Sequence, residues 1–160
     1  MAKKRVYVES SVISYLTAWP SRDVIMLARQ QSTREWWDRR HEWECVVSAT
    51  VMLEILRGDP GAAARRLEKA QLLVEVPIPA EADLLEDLLV AHKLVSESVR
   101  PDAAHLAMAA VCGAQYLLTW NQKHLDNFKL RSPIENLIRK QGWEPATVLT
   151  PDRLLLEESL

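Results

Sequence analysis

The chain has 160 residues, of which 48% are apolar and 26% are charged, and its net charge is −2. This composition is typical of one globular domain with a sizeable core, and it excludes a whole-molecule positive field, so that phosphate groups would need a local patch or a bound metal. No stretch has the ~18 consecutive apolar residues of a membrane span and no signal-peptide core follows the basic start, so we expect a cytoplasmic protein that avoids the membrane.

The first half of the chain alternates predicted strands and helices. Short β-branched and aromatic runs predict strands, and apolar residues at helical spacing predict helices. Ser21 and Ser48 are the expected N-caps of two of these helices. The predicted elements are a strand at 6–8, a helix at 11–16, a helix or helix pair from 22 to about 40, a strand at 45–47 and a helix from 48 to 57.

The second half continues the alternation. Pro77 favours a strand end or a sheet edge, and Pro133 favours a helix start. Strands that alternate with helices predict an α/β three-layer sandwich, with a central, mostly parallel sheet of about five strands flanked by helices, in one domain over 1–160. The predicted elements are helices at 62–73, 80–95, 103–112 and from 132 to about 142, strands at 74–78, 116–119 and 146–149, and a loose helical tail.

Four polar side chains are placed where such a sheet carries its functional site. Ligands bind at the carboxyl ends of parallel strands. Glu9 and Asn121 each follow a predicted strand, Glu54 lies in the helix after the second strand, and Asp102 lies in the first turn of the helix before the fourth. Converging carboxylate oxygens are the ligands that Mg²⁺ and Mn²⁺ prefer. We therefore expect these residues to form a site for a hard divalent cation.

The expected chemistry is phosphodiester hydrolysis. A cation of this kind polarises a phosphoryl oxygen, lowers the pKa of a bound water and orients that water for attack. The sequence has no Gly-rich phosphate loop, no CxxC pair, no GxSxG motif and no HExxH motif. None of these motifs therefore indicates a different kind of catalytic site.

The order of these motifs resembles that of the PIN-domain ribonucleases, and most closely that of VapC-type toxins. The segments that carry the resemblance are 8–13, Glu54 in its apolar helix, 102–109 and 117–121. The resemblance implies a PIN-like fold and a Mg²⁺- or Mn²⁺-dependent endoribonuclease that acts on RNA. It also implies a toxin that is neutralised by a partner antitoxin and that forms a homodimer.

Each candidate residue takes a position in the family pattern. Glu9, Glu54 and Asp102 match the first three acids and Asn121 the position of a fourth, with Ser11 and Thr119 as the accompanying hydroxyl residues.

Two departures from the family pattern affect the expected site. Glu9 stands where Asp is usual, so the metal would lie farther from the first strand or the side chain would fold back. Asn121 is neutral, which leaves three formal negative charges where four are usual. We therefore expect weaker metal binding overall, with a single well-held ion. Asp126 is a candidate substitute carboxylate in the following turn.

Ordinary structural interpretations compete with each assignment. Glu54 can face solvent, Asp102 can stabilise the start of a helix, and Asn121 can form a turn. His105 is expected to be a packed helix residue. Two other functions also compete: a catalytically weakened PIN-like module that binds RNA or a protein partner, and a metal-dependent phosphatase or nuclease that acts on DNA.

Overall fold

A short buried strand next to the amino terminus lies at the centre of the sheet. The computed structural model describes residues 2–157, and the sheet order is β3-β2-β1-β4-β5 with every pairing parallel. The predicted α/β class, with a parallel sheet of five strands, is confirmed. The strands are β1 (Arg5–Val8), β2 (Glu44–Val47), β3 (Val74–Glu75), β4 (Tyr116–Leu118) and β5 (Thr147–Leu149).

Helices flank the sheet and give the predicted three layers. Among residues 2–157 no helix is both long enough and apolar enough to cross a membrane. Single 3₁₀ turns occur at Arg40–Glu42 and Glu97–Val99. The helices of the described residues are α1 (Ser10–Thr17), α2 (Val24–Asp38), α3 (Ala49–Ile55), α4 (Pro60–Ala70), α5 (Ala80–Ala91), α6 (Arg100–Val111), α7 (Gln122–Leu125), α8 (Arg131–Lys140) and α9 (Pro151–Glu157).

The order of the strands reverses at the centre of the sheet, between β1 and β4, which is where open parallel sheets carry a crevice. The chain runs outward from β1 to β2 and β3, and then returns to place β4 and β5 on the other side of β1. Such a reversal opens the carboxyl ends of the two central strands to a ligand. Glu9 directly follows β1 and Thr119 directly follows β4, and the Glu9 N–H donates to the Leu118 carbonyl at 3.0 Å.

The central strands are buried on both faces because helices cover each side of the sheet. Val6, Tyr7 and Val8 have no exposed surface. This explains why β1 is a continuous apolar run and not an alternating one. Two adjacent tryptophans of α2, Trp36 and Trp37, are also buried and meet edge to face with ring centroids 5.9 Å apart.

Several predicted boundaries are corrected by hydrogen bonding and backbone geometry. Ser48 caps α3 as predicted, but α2 is capped by Asp23 and not by Ser21, because the Asp23 carboxylate accepts from the Met26 N–H at 2.9 Å. The Asp59–Pro60 signature predicts the cap of the helix expected at 62–73, and Asp59 does cap it, but the helix runs from Pro60 to Ala70.

The predicted strand at 74–78 and helix at 80–95 are both shorter in the structure. Only Val74–Glu75 forms β3, since Pro77 has no N–H to donate. Helix α5 ends at Ala91 because Lys93 adopts a left-handed conformation, with φ of 59°. The tail is helical over Pro151–Glu157, and residues 158–160 of the single domain predicted over 1–160 lie outside the described part.

Candidate metal centre

Glu9 caps α1 with its own side chain. The Oε2 atom accepts from the Ser11 N–H at 3.1 Å and from the Ser10 hydroxyl at 2.8 Å. The Oε1 atom accepts from the hydroxyls of Ser11 and Thr119, each at 2.5 Å. The side chain therefore folds back toward the start of α1, which is one of the two outcomes expected for the longer acid. These donors offset the cost of burying a carboxylate that is only 5% exposed.

The same hydroxyls connect Glu9 to the end of β4. Ser11 Oγ accepts from the Trp120 N–H at 2.9 Å. Thr119 Oγ1 accepts from the Asn121 N–H at 2.9 Å. The hydroxyl residues that the sequence places beside the acids therefore hold the two central strand ends together around the Glu9 carboxylate.

Glu54 reaches the crevice from α3. It is half-buried, with 22% of its side chain exposed, and it lies beside the fully packed Ile55. Its Oε1 atom is 2.6 Å from Nε2 of His105, a residue of α6 that is 1% exposed. The solvent-facing interpretation of Glu54 is therefore wrong for this fold.

A buried hydrogen-bond chain continues beyond His105. His105 Nδ1 is 2.7 Å from the Tyr7 hydroxyl, and that hydroxyl is 2.8 Å from Ser48 Oγ. Burial raises the pKa of the Tyr7 phenol far above its usual range, so the phenol keeps its proton. Because Ser48 is also the N-cap of α3, the chain links β1, α3 and α6.

Glu9, Glu54 and His105 form a compact group that could hold a metal ion. One ligand atom from each lies within 4.8 Å of the others. The structure thus brings together two of the four predicted residues, and it adds His105, which the sequence interpretation assigned to packing. The available signal was its spacing: His105 is three residues after Asp102, which places both on one face of α6.

Asp102 lies beside this group without belonging to it. It is half-buried, with 13% of its side chain exposed, and it lies in the first turn of α6. Burial raises the pKa of its carboxyl, and the negative charges of Glu9 and Glu54 raise that pKa further. His105 and His124 act in the opposite direction, and His124 Nδ1 is 3.9 Å from Asp102 Oδ2.

Asn121 lies next to the cluster, whereas Asp126 lies away from it. Asn121 is half-buried at the start of α7, and its backbone N–H and carbonyl connect it to Thr119 and Leu125. Its backbone is therefore bonded to the residues around Glu9, whereas its side-chain amide oxygen accepts no hydrogen bond from the residues between 2 and 157. Asp126 pairs with Arg131, and both line a separate cavity beside β5, so Asp126 is not a substitute carboxylate.

The donor set fits a hard divalent cation. Glu9 and Glu54 offer carboxylate oxygens in one crevice, and Asp102 adds a third carboxylate whose charged form is disfavoured there. Gathered acids repel one another, and a divalent cation relieves that repulsion. Glu9 and Glu54 are therefore the carboxylates that could hold Mg²⁺ or Mn²⁺, and Asp102 adds negative charge beside them.

No protein-family model matches the sequence, and a search of the curated proteins finds no match. The resemblance to PIN-domain ribonucleases therefore stays a prediction from the sequence motifs, and function has to be argued from the site.

A groove of about 410 Å³ runs along α2 and α9, and it meets the cluster at Trp120, whose N–H donates to Ser11 Oγ. Its lining includes Arg29, Trp120 and Arg153, and Trp120 directly precedes Asn121. The Arg29 guanidinium lies over the Trp120 ring at 5.3 Å, and the Tyr15 ring is 5.6 Å from the same ring. Neither Arg29 nor Arg153 forms an ion pair with another of residues 2–157.

Proposed function

We propose that this chain is a Mg²⁺- or Mn²⁺-dependent endoribonuclease that hydrolyses RNA phosphodiesters. One observation carries the proposal: the carboxylates of Glu9 and Glu54 meet above the centre of a parallel sheet, with Asp102 beside them. Three acids in one crevice are costly unless a cation or a pH change compensates them. The order of the motifs in the sequence supports the same assignment.

The residues of the chain have distinct parts in this activity. Glu9, Glu54 and Asp102 would hold the cation, with Asn121 assisting as expected from the sequence. When bound, the cation would polarise a phosphoryl oxygen and lower the pKa of a water. Glu9 is held by four donors from Ser10, Ser11 and Thr119, so its carboxylate is fixed in one orientation, with one oxygen within 4.8 Å of the ligand atoms of Glu54 and His105.

The adjoining groove supports a single-stranded nucleic acid as the substrate. Arginines contact phosphates along a strand, and their guanidinium planes stack on bases. Trp120 is held by its indole N–H, which donates to Thr33 Oγ1 at 2.8 Å. Arg29 and Arg153 supply positive charge that exceeds the single negative charge of Asp152 in the same lining. The groove thus offers a local positive patch for phosphate groups, which the protein needs because its net charge of −2 gives it no overall positive field.

Removing both groove arginines is expected to weaken RNA binding without affecting the metal site. In Arg29→Ala/Arg153→Ala, we expect the slope of log affinity against log salt to fall by about 0.7 for each lost phosphate contact. Binding of a labelled single-stranded RNA would be measured by fluorescence anisotropy in EDTA, where no cleavage occurs. Arg139→Ala/Lys140→Ala, on α8, removes the same charge elsewhere and is the control. Equal losses in both double variants would contradict the role of the groove.

The decisive test compares nucleic acids with and without the cation. Internally labelled RNA and DNA, single- and double-stranded, would be incubated with Mg²⁺, with Mn²⁺ or with EDTA. We expect internal cuts in single-stranded RNA that need the cation. Cleavage of DNA alone would support the rival metal-dependent nuclease, and cleavage that persists in EDTA would reject the metal-dependent mechanism.

A catalytically weakened PIN-like module that binds RNA or a protein is the second candidate, and one observation favours it. The Glu9 oxygens already accept four hydrogen bonds, and His105 engages Glu54, so the polar groups are partnered without a cation. A titration with Mn²⁺ separates the two candidates. A site that stays empty at millimolar Mn²⁺ would favour the module.

The proposal extends to a toxin of a toxin–antitoxin pair that acts in the cytoplasm. Large apolar side chains are exposed on α2 and α3, including Val24 at 81% and Leu53 at 65%. Apolar surface of this kind supports a protein partner, either an antitoxin or a second copy in a homodimer. Co-expression with the product of the neighbouring reading frame, followed by light scattering of the purified species, tests both partners.

A further inference from the structure

We infer that His105 is a positioning residue, which holds the Glu54 carboxylate through its Nε2–H and does not itself ligate the cation. The inference rests on the proposed metal site and deepens it. It assigns a role to a buried histidine that belongs to the compact group by distance alone. It also explains why Tyr7 and Ser48, which are both fully buried, carry hydroxyls behind the site.

The hydrogen bonds determine which ring nitrogen of a neutral His105 carries the proton. A carboxylate oxygen is an acceptor, so a bare Nε2 at 2.6 Å from Glu54 Oε1 would place two lone pairs against each other. With the proton on Nε2, the Tyr7 hydroxyl donates to Nδ1 and the Ser48 hydroxyl donates to Tyr7 Oη. Every donor in the chain from Ser48 to Glu54 then has an acceptor.

The geometry argues against His105 as a ligand. Adjacent ligands of an octahedral Mg²⁺, each about 2.1 Å from the ion, lie about 3 Å apart. His105 Nε2 and Glu54 Oε1 are 2.6 Å apart, which is a hydrogen-bond distance and too short for two neighbouring ligands of one ion. Mg²⁺ and Mn²⁺ also prefer oxygen to imidazole nitrogen. Glu54 Oε2 would therefore be the oxygen left for the cation, while His105 holds Oε1.

The buried chain makes this hydrogen bond rigid. Tyr7, Ser48 and His105 are each at most 1% exposed, so no water competes for their polar atoms. The Tyr7 and His105 rings also pack together, with centroids 5.7 Å apart. Hydrogen-bond partners of metal ligands orient those ligands, and losing one costs about tenfold to a hundredfold in metal affinity.

The first test compares metal affinity in three variants. We expect His105→Leu, which removes the donor but keeps the volume, to weaken Mn²⁺ binding by about tenfold to a hundredfold. His105→Gln can donate from an amide and should recover most of the affinity, and Tyr7→Phe should show a smaller loss. Free Mn²⁺ would be followed by electron paramagnetic resonance below the melting temperature of every variant. His92→Leu, at the exposed end of α5, is the control.

The second test follows the proton itself. Nitrogen-15 spectra of the His105 ring, assigned by comparison with His105→Gln, report which ring nitrogen is protonated. We expect Nε2 to be protonated in the metal-free protein and to stay so under saturating Mg²⁺. A proton lost from Nε2 on binding would make His105 a ligand and overturn the inference, as would parent-like affinity in His105→Leu. If the parent protein binds no cation at all, the proposed function itself fails. If the parent binds Mn²⁺ and His105→Leu binds it equally well, only the role of His105 is overturned.

Discussion

Replacing Asp102 by Asn is expected to abolish RNA cleavage and to raise the melting temperature of the metal-free protein. Cleavage should fall by more than about a hundredfold. Losing a residue that only hydrogen-bonds to a metal ligand already costs up to about a hundredfold, and Asp102 is proposed to be a ligand itself. The stability effect has the opposite sign. Burial and the charges of Glu9 and Glu54 raise the pKa of the Asp102 carboxyl, so at neutral pH its charge destabilises the native state, and Asn removes that charge.

The pH dependence checks the sign of this effect. The destabilisation by Asp102 is full above its raised folded-state pKa, and it disappears as the pH falls below the ordinary pKa of an aspartate. The gain in melting temperature should therefore be present at neutral pH and shrink in acid. Asp83→Asn, an exposed change of the same charge on α5, is the control. An Asp102→Asn protein that cuts RNA as fast as the parent would remove Asp102 from the site.

The fold was predictable because its signals are local. A run such as Val6–Val8 shows a strand buried on both faces, and Ser48 shows a helix start, without knowledge of any distant contact. The predicted ends of β3 and α5 were wrong because one backbone feature ended each element, although the apolar sequence pattern continues beyond it. Pro77 stopped β3, and the left-handed Lys93 stopped α5, although apolar residues follow in both cases.

The candidate site was only partly predictable, because it depends on how α3 and α6 are packed. The sequence placed Glu9 and Glu54 at the same end of the sheet, since that follows from the strand order expected of alternating elements. The contact between Glu54 and His105 spans 51 residues and follows from no local pattern. The retracted Glu9 side chain likewise depends on Thr119, which lies 110 residues away along the chain. Membership of the PIN-domain family stays a prediction.

Saturating Mn²⁺ is expected to raise the melting temperature by about 5 to 11 °C. A ligand at a hundred times its dissociation constant stabilises the native state by about 2.7 kcal/mol, and each kcal/mol shifts the melting temperature of a chain of this size by about 2–4 °C. The reason is specific to this site, since the cation would neutralise three neighbouring carboxylates that otherwise repel one another. Differential scanning fluorimetry, with EDTA as the reference, measures the shift.

Two comparisons decide whether the shift comes from the acidic cluster. The shift should be lost in Asp102→Asn and kept in Asp83→Asn, since only the first of these acids lies beside Glu9 and Glu54. It should also shrink as the pH falls, because protons compete with the cation for Asp102, whose carboxyl has a raised pKa. An equal shift in both variants would mean that Mn²⁺ binds elsewhere. In that case the partnered oxygens of Glu9 and Glu54 would need no cation, and the binding-module interpretation would account for the crevice better.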